Sequence, residues 1–349
     1  MNSFEMRPPA RGRVLVYGAY GHTGRFVVAE LVRRGLEPVL SGHSADRLAD
    51  LARVYPGLEV RPAPDGRALG RAVAGTAAVV NTAGPFLDTA GPVAAAAVAA
   101  GAHYLDVTAE QPAAAATLDE VGAAAAAAGV AVLPAMAFYG GLADLLATAA
   151  AGGDPVEAVT VAVGLDGWRP TAGTRITGER NTAPRLLVDG GELVPLTAVA
   201  PAGRDWDFPA PLGRRAVVAL PFSEVVLLHH HLGAKRITSY LNEEPLAQLR
   251  DPATPAPEAA DTSGRSAQRF AVDVRVRVDG TERRATAVGR DIYAVTAPLL
   301  AEAVARLLDG RVRAVGARAP GEVFDAADFL AALAPDPLAL TLPRPLPVR

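Results

Sequence analysis

Short apolar runs alternate with helix-length amphipathic stretches over the first third of the chain. Residues 14–17, 38–41, 58–61, 78–81, 104–107 and 130–133 read as strands. Between them, 23–34, 45–54, 68–74, 92–100 and 113–128 read as helices. Val27, Val28, Leu31 and Val32 give the first helix an apolar face, Gly35 ends it, and Ser44 is placed to cap the second. Strands alternating with helices predict a doubly wound parallel sheet, with ligands at the carboxyl ends of its strands.

After Pro134 the rhythm changes. Runs at 158–163, 185–188, 192–196, 236–241, 270–278 and 283–288 alternate polar and apolar residues, as a half-exposed antiparallel sheet does. Residues 251–266, rich in Pro, Ala and acids, read as a mobile loop between two strands, and 296–308 as a final helix. The predicted fold is therefore α/β: a Rossmann-type domain over 13–135, an α+β substrate or dimerisation domain over 136–290, and a segment, 291–349, returning to the first domain. Residues 1–12 read as a disordered tail.

Composition narrows the chemistry. The net charge is −3, with no basic stripe of the kind that nucleic acid needs. No stretch reads as a membrane span or a secretory leader. There is no cysteine, which removes disulfides, thiolate catalysis and cysteine-bound metal, and fits a cytoplasmic location. Lys235 is the only lysine. Because position 231 is His, the Tyr-x-x-x-Lys pair of short-chain dehydrogenases is absent.

Gly18-Ala19-Tyr20-Gly21-His22-Thr23-Gly24 forms a G-x-x-G-x-x-G loop between the first strand and first helix. Gly18 permits a tight turn, Gly21 lets backbone approach a pyrophosphate, and Gly24 lets helix pack on sheet. This predicts dinucleotide binding. NAD-preferring sites place an acid after the second strand, about 20 residues on. Here Ser41, His43, Ser44 and Arg47 stand instead, donors suited to a 2′-phosphate, so NADP(H) is favoured over NAD(H). The turn Asn81-Thr82-Ala83-Gly84-Pro85-Phe86 follows a buried strand where ribose or nicotinamide would lie.

GAYGHTG, LSGHSADRL, VVNTAGPF and GAHYLDVTAE together resemble the saccharopine dehydrogenase-like NAD(P)-binding domain, over about residues 13–144. That broad family includes trans-acting enoyl reductases. The resemblance implies a Rossmann domain, an α+β domain inserted before the last long helix, and a cleft between them. Gly18, Tyr20, Gly21, Thr23 and Gly24 match the family's phosphate loop. His43 stands where relatives often have arginine, and Tyr139 where they commonly have aspartate.

Candidate catalytic residues are Tyr139, Asp106 and Glu110. A phenol at Tyr139 suits a developing oxyanion. Asp106 and Glu110 suit a proton relay or, equally, helix capping. Arg175 and Arg180 suit a carboxylate or phosphate of the substrate. His229 and His231 share a face if they lie on a strand, but no third metal ligand is evident, so no metal is expected. The expected activity is hydride transfer to an unsaturated biosynthetic intermediate, enoyl reductase-like and acting in trans. Alternatives are a saccharopine dehydrogenase-like imine or amino-acid dehydrogenase, and a non-catalytic dinucleotide sensor or scaffold. Expected partners are a small-molecule or carrier-linked substrate and, through the second domain, a second copy of the chain.

Overall fold

The computed structural model describes residues 12–199 and 201–343. The expected tail therefore lies almost wholly outside the described residues. In the first domain, β1 (Val14–Tyr17), α1 (His22–Arg33), β2 (Pro38–Gly42), α2 (Ala45–Val54), β3 (Val60–Pro62), α3 (Gly66–Val73), β4 (Ala78–Asn81), α4 (Phe86–Ala99), β5 (His103–Asp106), α5 (Gln111–Ala128) and β6 (Ala131–Leu133) alternate strictly. The paired strands run parallel in the order β3-β2-β1-β4-β5-β6. Alternate residues of each strand face opposite layers. Val14 and Val16 pack with Val27, Leu31, Leu48 and Leu51 of α1 and α2. Leu15 and Val79 pack with Leu69, Val93, Ala97 and Leu118 of α3, α4 and α5. Burial on both faces explains why these strands read as continuous apolar runs.

The second domain begins with α6 (Gly141–Ala151) and β7 (Ala158–Leu165). It continues through α7 (Ala172–Arg180), β8 (Leu186–Asp189), β9 (Glu192–Pro195), α8 (Leu196–Val199), β10 (Arg204–Asp207), β11 (Arg214–Ala219), α9 (Ser223–Leu232), β12 (Arg236–Asn242), α10 (Glu244–Arg250), β13 (Arg269–Val278) and β14 (Thr281–Arg290). Its sheet runs β10-β11-β12-β7-β13-β14 and is mostly antiparallel, with β12 and β7 parallel. The histidine triplet does not lie on a strand, so the shared face that a strand would give His229 and His231 does not arise. His229, His230 and His231 lie in the last turn of α9, whose Val225–Leu228 run is buried throughout. A helix buried on all sides has no polar period to betray it.

The chain then returns. α11 (Thr296–Leu308) packs along α1, and β15 (Gly316–Ala317) extends the parallel sheet beside β6. After α12 (Pro320–Val323) and α13 (Ala326–Ala331), β16 (Ala339–Thr341) pairs with β14. The C-terminal segment thus serves both sheets, rather than the first domain alone. Among the described residues no helix is long and apolar enough to cross a membrane.

Candidate active site

A cleft of about 1050 Å³ runs between the two domains at the carboxyl ends of β1, β2 and β4. One wall is the glycine loop. Gly18 has φ +84°, a conformation costly for other residues, and a Cβ there would meet Ala83. A Cβ on Gly24 would overlap the carbonyl oxygens of Gly18 and Ala19. A Cβ on Gly21 would meet only the Gly18 carbonyl oxygen, at 3.1 Å. The N-terminus of α1 then presents its N–H groups and positive dipole end to the cleft. His22 opens that helix, edge-on to Phe26 and Tyr293, both at 5.3 Å between ring centres. Burial lowers its pKa, and its Nε2 has no partner.

Beyond the loop, Tyr20, Gly42, His43 and Arg47 line the far end of the cleft. Ser41 and Ser44 do not line it. Ser41 is fully buried and donates its hydroxyl to the Arg61 carbonyl, while Ser44 caps α2. On the other side, Thr82, Ala83, Gly84 and Phe86 line it, whereas Asn81 and Pro85 stand behind. Asn81 shapes the turn from beneath: its Oδ1 accepts the Ala83 N–H at 3.0 Å, and its amide donates to Tyr104.

Glu110 lines the cleft, but its oxygens accept the N–H groups of Phe86 and Leu87, at 2.9 and 3.2 Å. It caps α4, and burial raises its pKa. Asp106 does not reach the cleft. It is fully buried, accepting from the N–H groups of Thr108 and Ala135 and from the Tyr104 hydroxyl. Burial is the main reason its pKa rises to about 6, against the lowering effect of those N–H groups. Its backbone carbonyl also accepts the Met136 N–H. Asp106 is therefore a positioning residue for the turn that follows β6, not a group that touches a ligand.

That turn carries Tyr139. Gly140, at φ +107°, leaves no room for a Cβ against Ala135, which fixes the chain just after the phenol. The Tyr139 ring lies 4.2 Å from Phe222, 4.9 Å from Phe138 and 5.8 Å from Trp168. Its hydroxyl is buried at the cleft and has no partner among the described residues. Burial pushes its pKa well above the usual 10, so it stays protonated and acts as a donor.

The second domain supplies the facing wall. Tyr293 is a hub: its hydroxyl accepts from Trp168 Nε1 and the Thr171 N–H, leaving its hydrogen for Thr174 Oγ1 at 3.0 Å. These bonds seat the N-terminus of α7, a helix with no buried residue, over the cleft. Arg175 lines the cleft but donates to the carbonyls of Asp251 and Thr254. Arg180 does not line it and pairs with Asp88 at 2.7 Å. A further cation at the cleft is one that no sequence pattern singles out. Arg185 stacks 4.6 Å over Phe222 and donates to the Pro221 carbonyl, and among the described residues it makes no ion pair. Burial lowers its pKa, against the charge of the nearby Glu224, which raises it. No local pattern announces it, because its contacts, Pro221 and Phe222, lie more than 30 positions away in sequence.

The glycine cradle, the cleft's size and the unpartnered Tyr139 hydroxyl all fit a dinucleotide with a substrate beside it. Comparisons with known proteins agree. Residues 14–133 match the family model described as the saccharopine dehydrogenase NADP binding domain. No curated protein matches. Among solved structures, the apo saccharopine dehydrogenase (L-Glu forming) of Saccharomyces cerevisiae aligns with 95% of this chain and 99% of its own, at 13% identity and a TM-score of 0.64. It shares the two-domain fold. The NADP(H) complex of triphenylmethane reductase from Citrobacter sp. is 25% identical over 27% of this chain and 36% of its own, with a TM-score of 0.24. The Thermus thermophilus WlbA dehydrogenase, bound to NAD and UDP-GlcNAcA, covers 96% of this chain and 97% of its own at 16% identity and a TM-score of 0.43. These last two alignments are too loose to carry argument. Over residues 14–133 the chain is thus similar to the saccharopine dehydrogenase NADP-binding domain, and the chain is an NAD(P)-dependent oxidoreductase.

Proposed function

We propose that the protein catalyses NADP(H)-dependent reduction of an unsaturated carbonyl substrate that carries an anionic group. The observation that carries this reading is the buried, unpartnered Tyr139 hydroxyl at the cleft. A buried donor without a partner is costly, and a ligand that accepts from it removes that cost. NADPH, when bound, supplies the hydride. The glycine loop holds the pyrophosphate, His43 and Arg47 stand beside the 2′-phosphate position, and Thr82–Gly84 and Phe86 line the wall toward the nicotinamide end. Tyr139 donates its O–H to the substrate oxygen on which negative charge grows, in a dry aromatic pocket where such a bond is strong. Arg185 gives a carboxylate or phosphate of the substrate a docking point, since its guanidinium lines the cleft and its hydrogen bond goes to the Pro221 carbonyl rather than to a carboxylate. A phenol held neutral serves an oxygen acceptor better than a cationic iminium. This favours carbonyl or enoyl chemistry, as in an enoyl reductase acting in trans.

A second reading, imine reduction, draws support from the fold shared along the whole chain with a saccharopine dehydrogenase. The test is NADPH consumption, followed at 340 nm, against paired panels: unsaturated acyl thioesters and ketones with an acidic group, and keto acids with and without an amine. Turnover that requires the amine selects the imine reading. Tight NADPH binding with no turnover in either panel overturns both and leaves a dinucleotide sensor. With an active substrate, Tyr139→Phe is expected to lower single-turnover rates by about 10²–10³ while NADPH affinity holds.

A further inference from the structure

Tyr20 belongs to the glycine loop, yet its buried ring reaches across to the end of β2. It lies against Gly42, where a Cβ would come within 2.8 Å of the ring. The Tyr20 hydroxyl is 2.7 Å from His43 Nδ1, and the Ser44 N–H donates to it at 3.3 Å. The Arg47 guanidinium carbon sits 4.4 Å above the same ring. Arg25 holds the Tyr20 carbonyl at 3.1 Å, so the backbone that launches the ring is also fixed. His43 and Arg47 are exposed, and exposed side chains of these types ordinarily sample many rotamers. Here one buried phenol pins both.

The hydrogen positions follow from counting. The phenol has one hydrogen, and among the described residues His43 Nδ1 is its sole acceptor. Leaving that hydrogen unbonded in a buried position costs more than donating it. The Tyr20 hydroxyl therefore donates to Nδ1, and the proton of a neutral His43 ring resides on Nε2. The donor edge of the imidazole is then the one turned away from Tyr20, and His43 and Arg47 both line the cleft.

We propose that Tyr20 is the positioning residue for NADP(H) selection: it locks His43 in the Nε2–H tautomer and parks Arg47 beside it, forming a two-donor seat for the 2′-phosphomonoester. No carboxylate stands at this strand end to take a 2′-hydroxyl or repel the phosphate. The inference rests on the NADP(H) reading above, and the measurements separate the two.

Isothermal titration of NADPH and NADH into wild type, Tyr20→Phe, His43→Ala and the double variant tests it. Tyr20→Phe keeps the ring and the stacking of Arg47 but loses the hydroxyl. It is expected to weaken NADPH about tenfold and to leave NADH within about twofold. The double variant is expected to bind NADPH no more weakly than His43→Ala alone, because the hydroxyl acts through the imidazole. Nitrogen-15 shifts of the His43 ring in the cofactor-free protein are expected to report the Nε2–H form, and to lose that preference in Tyr20→Phe. Unchanged NADPH affinity in Tyr20→Phe, an equal loss for both cofactors, or additive losses in the double variant would overturn the inference. Wild-type protein that prefers NADH would overturn the NADP(H) reading itself.

Discussion

The two walls of the cleft are built on different principles. The cofactor wall is local. Its glycine loop is seven consecutive residues, and its other contacts follow directly on the carboxyl ends of β2 and β4. Much of its work is done by backbone N–H groups and by the absence of Cβ atoms. The substrate wall is assembled from Tyr139, Trp168, Arg185, Phe222 and Tyr293, which span more than 150 positions. Its work is done by side chains whose partners lie far away in sequence. A pyrophosphate is the same in every dinucleotide, so backbone suffices to hold it. A substrate must be told from its relatives, which needs side chains chosen one at a time.

The contrast can be broken at Asp106, which lies under the substrate wall and not in it. Asp106→Ala leaves two backbone N–H groups buried without a partner and the Tyr104 hydroxyl hydrogen without an acceptor. A loss of about 4 kcal/mol in urea-unfolding free energy is expected. Asp106→Asn keeps the acceptor for both N–H groups and is expected to retain turnover within a few-fold. A large loss of turnover in a stable Asp106→Asn protein would show that the carboxylate takes part in chemistry.

The cofactor wall is tested next. Gly24→Val places a side chain against the Gly18 and Ala19 carbonyls and the Thr82 hydroxyl. The loop must shift, and affinity for NADPH and NADH is expected to fall together by about 100-fold, roughly 3 kcal/mol. Titration calorimetry reads both. A selective loss of one cofactor would contradict the view that this loop senses only what the two share.

The smallest effect lies outside both walls. His231 on α9 bonds Asp144 on α6 at 2.7 Å, and the other Asp144 oxygen accepts the Gly321 N–H at 2.6 Å. Burial disfavours the charged ring, but the charge of Asp144 and its hydrogen bond outweigh burial and raise the pKa of His231 above 6.5. For a base with a raised folded-state pKa, the stabilisation is complete below the unfolded value and fades as pH rises through the folded one. His231→Gln is therefore expected to cost about 2 kcal/mol near pH 6 and less at pH 8, with cofactor affinity unchanged. Thermal unfolding of both proteins across that range checks it. A cost that grows with pH would reverse the assignment.

Legibility in the sequence followed the same division. The β–α alternation, the glycine spacing and the missing acid after β2 are local patterns, and the parallel sheet and dinucleotide-binding fold follow from them. Tyr139 was legible as a candidate because it falls just past a strand end. Arg175 and Arg180 drew attention as arginines in a small polar segment, but backbone carbonyls and Asp88 claim them. Arg185, a few residues on, is held by the Pro221 carbonyl and the Phe222 ring, neighbours that only the fold brings to it.

By itself, the sequence determined the architecture of the first domain, the nucleotide loop and the α+β, mostly antiparallel character of the second domain. These depend on period, on glycine and on the order of elements, which a chain carries without folding. Tertiary structure decided that the histidine triplet is helical, that the tail serves both sheets, and that Asp106 supports the site from below. It also decided that Arg185 lines the cleft while Arg180 turns to Asp88. A side chain's role depends on which donors, acceptors and rings reach it, and those neighbours come from positions whose separation in sequence says nothing of their distance in space.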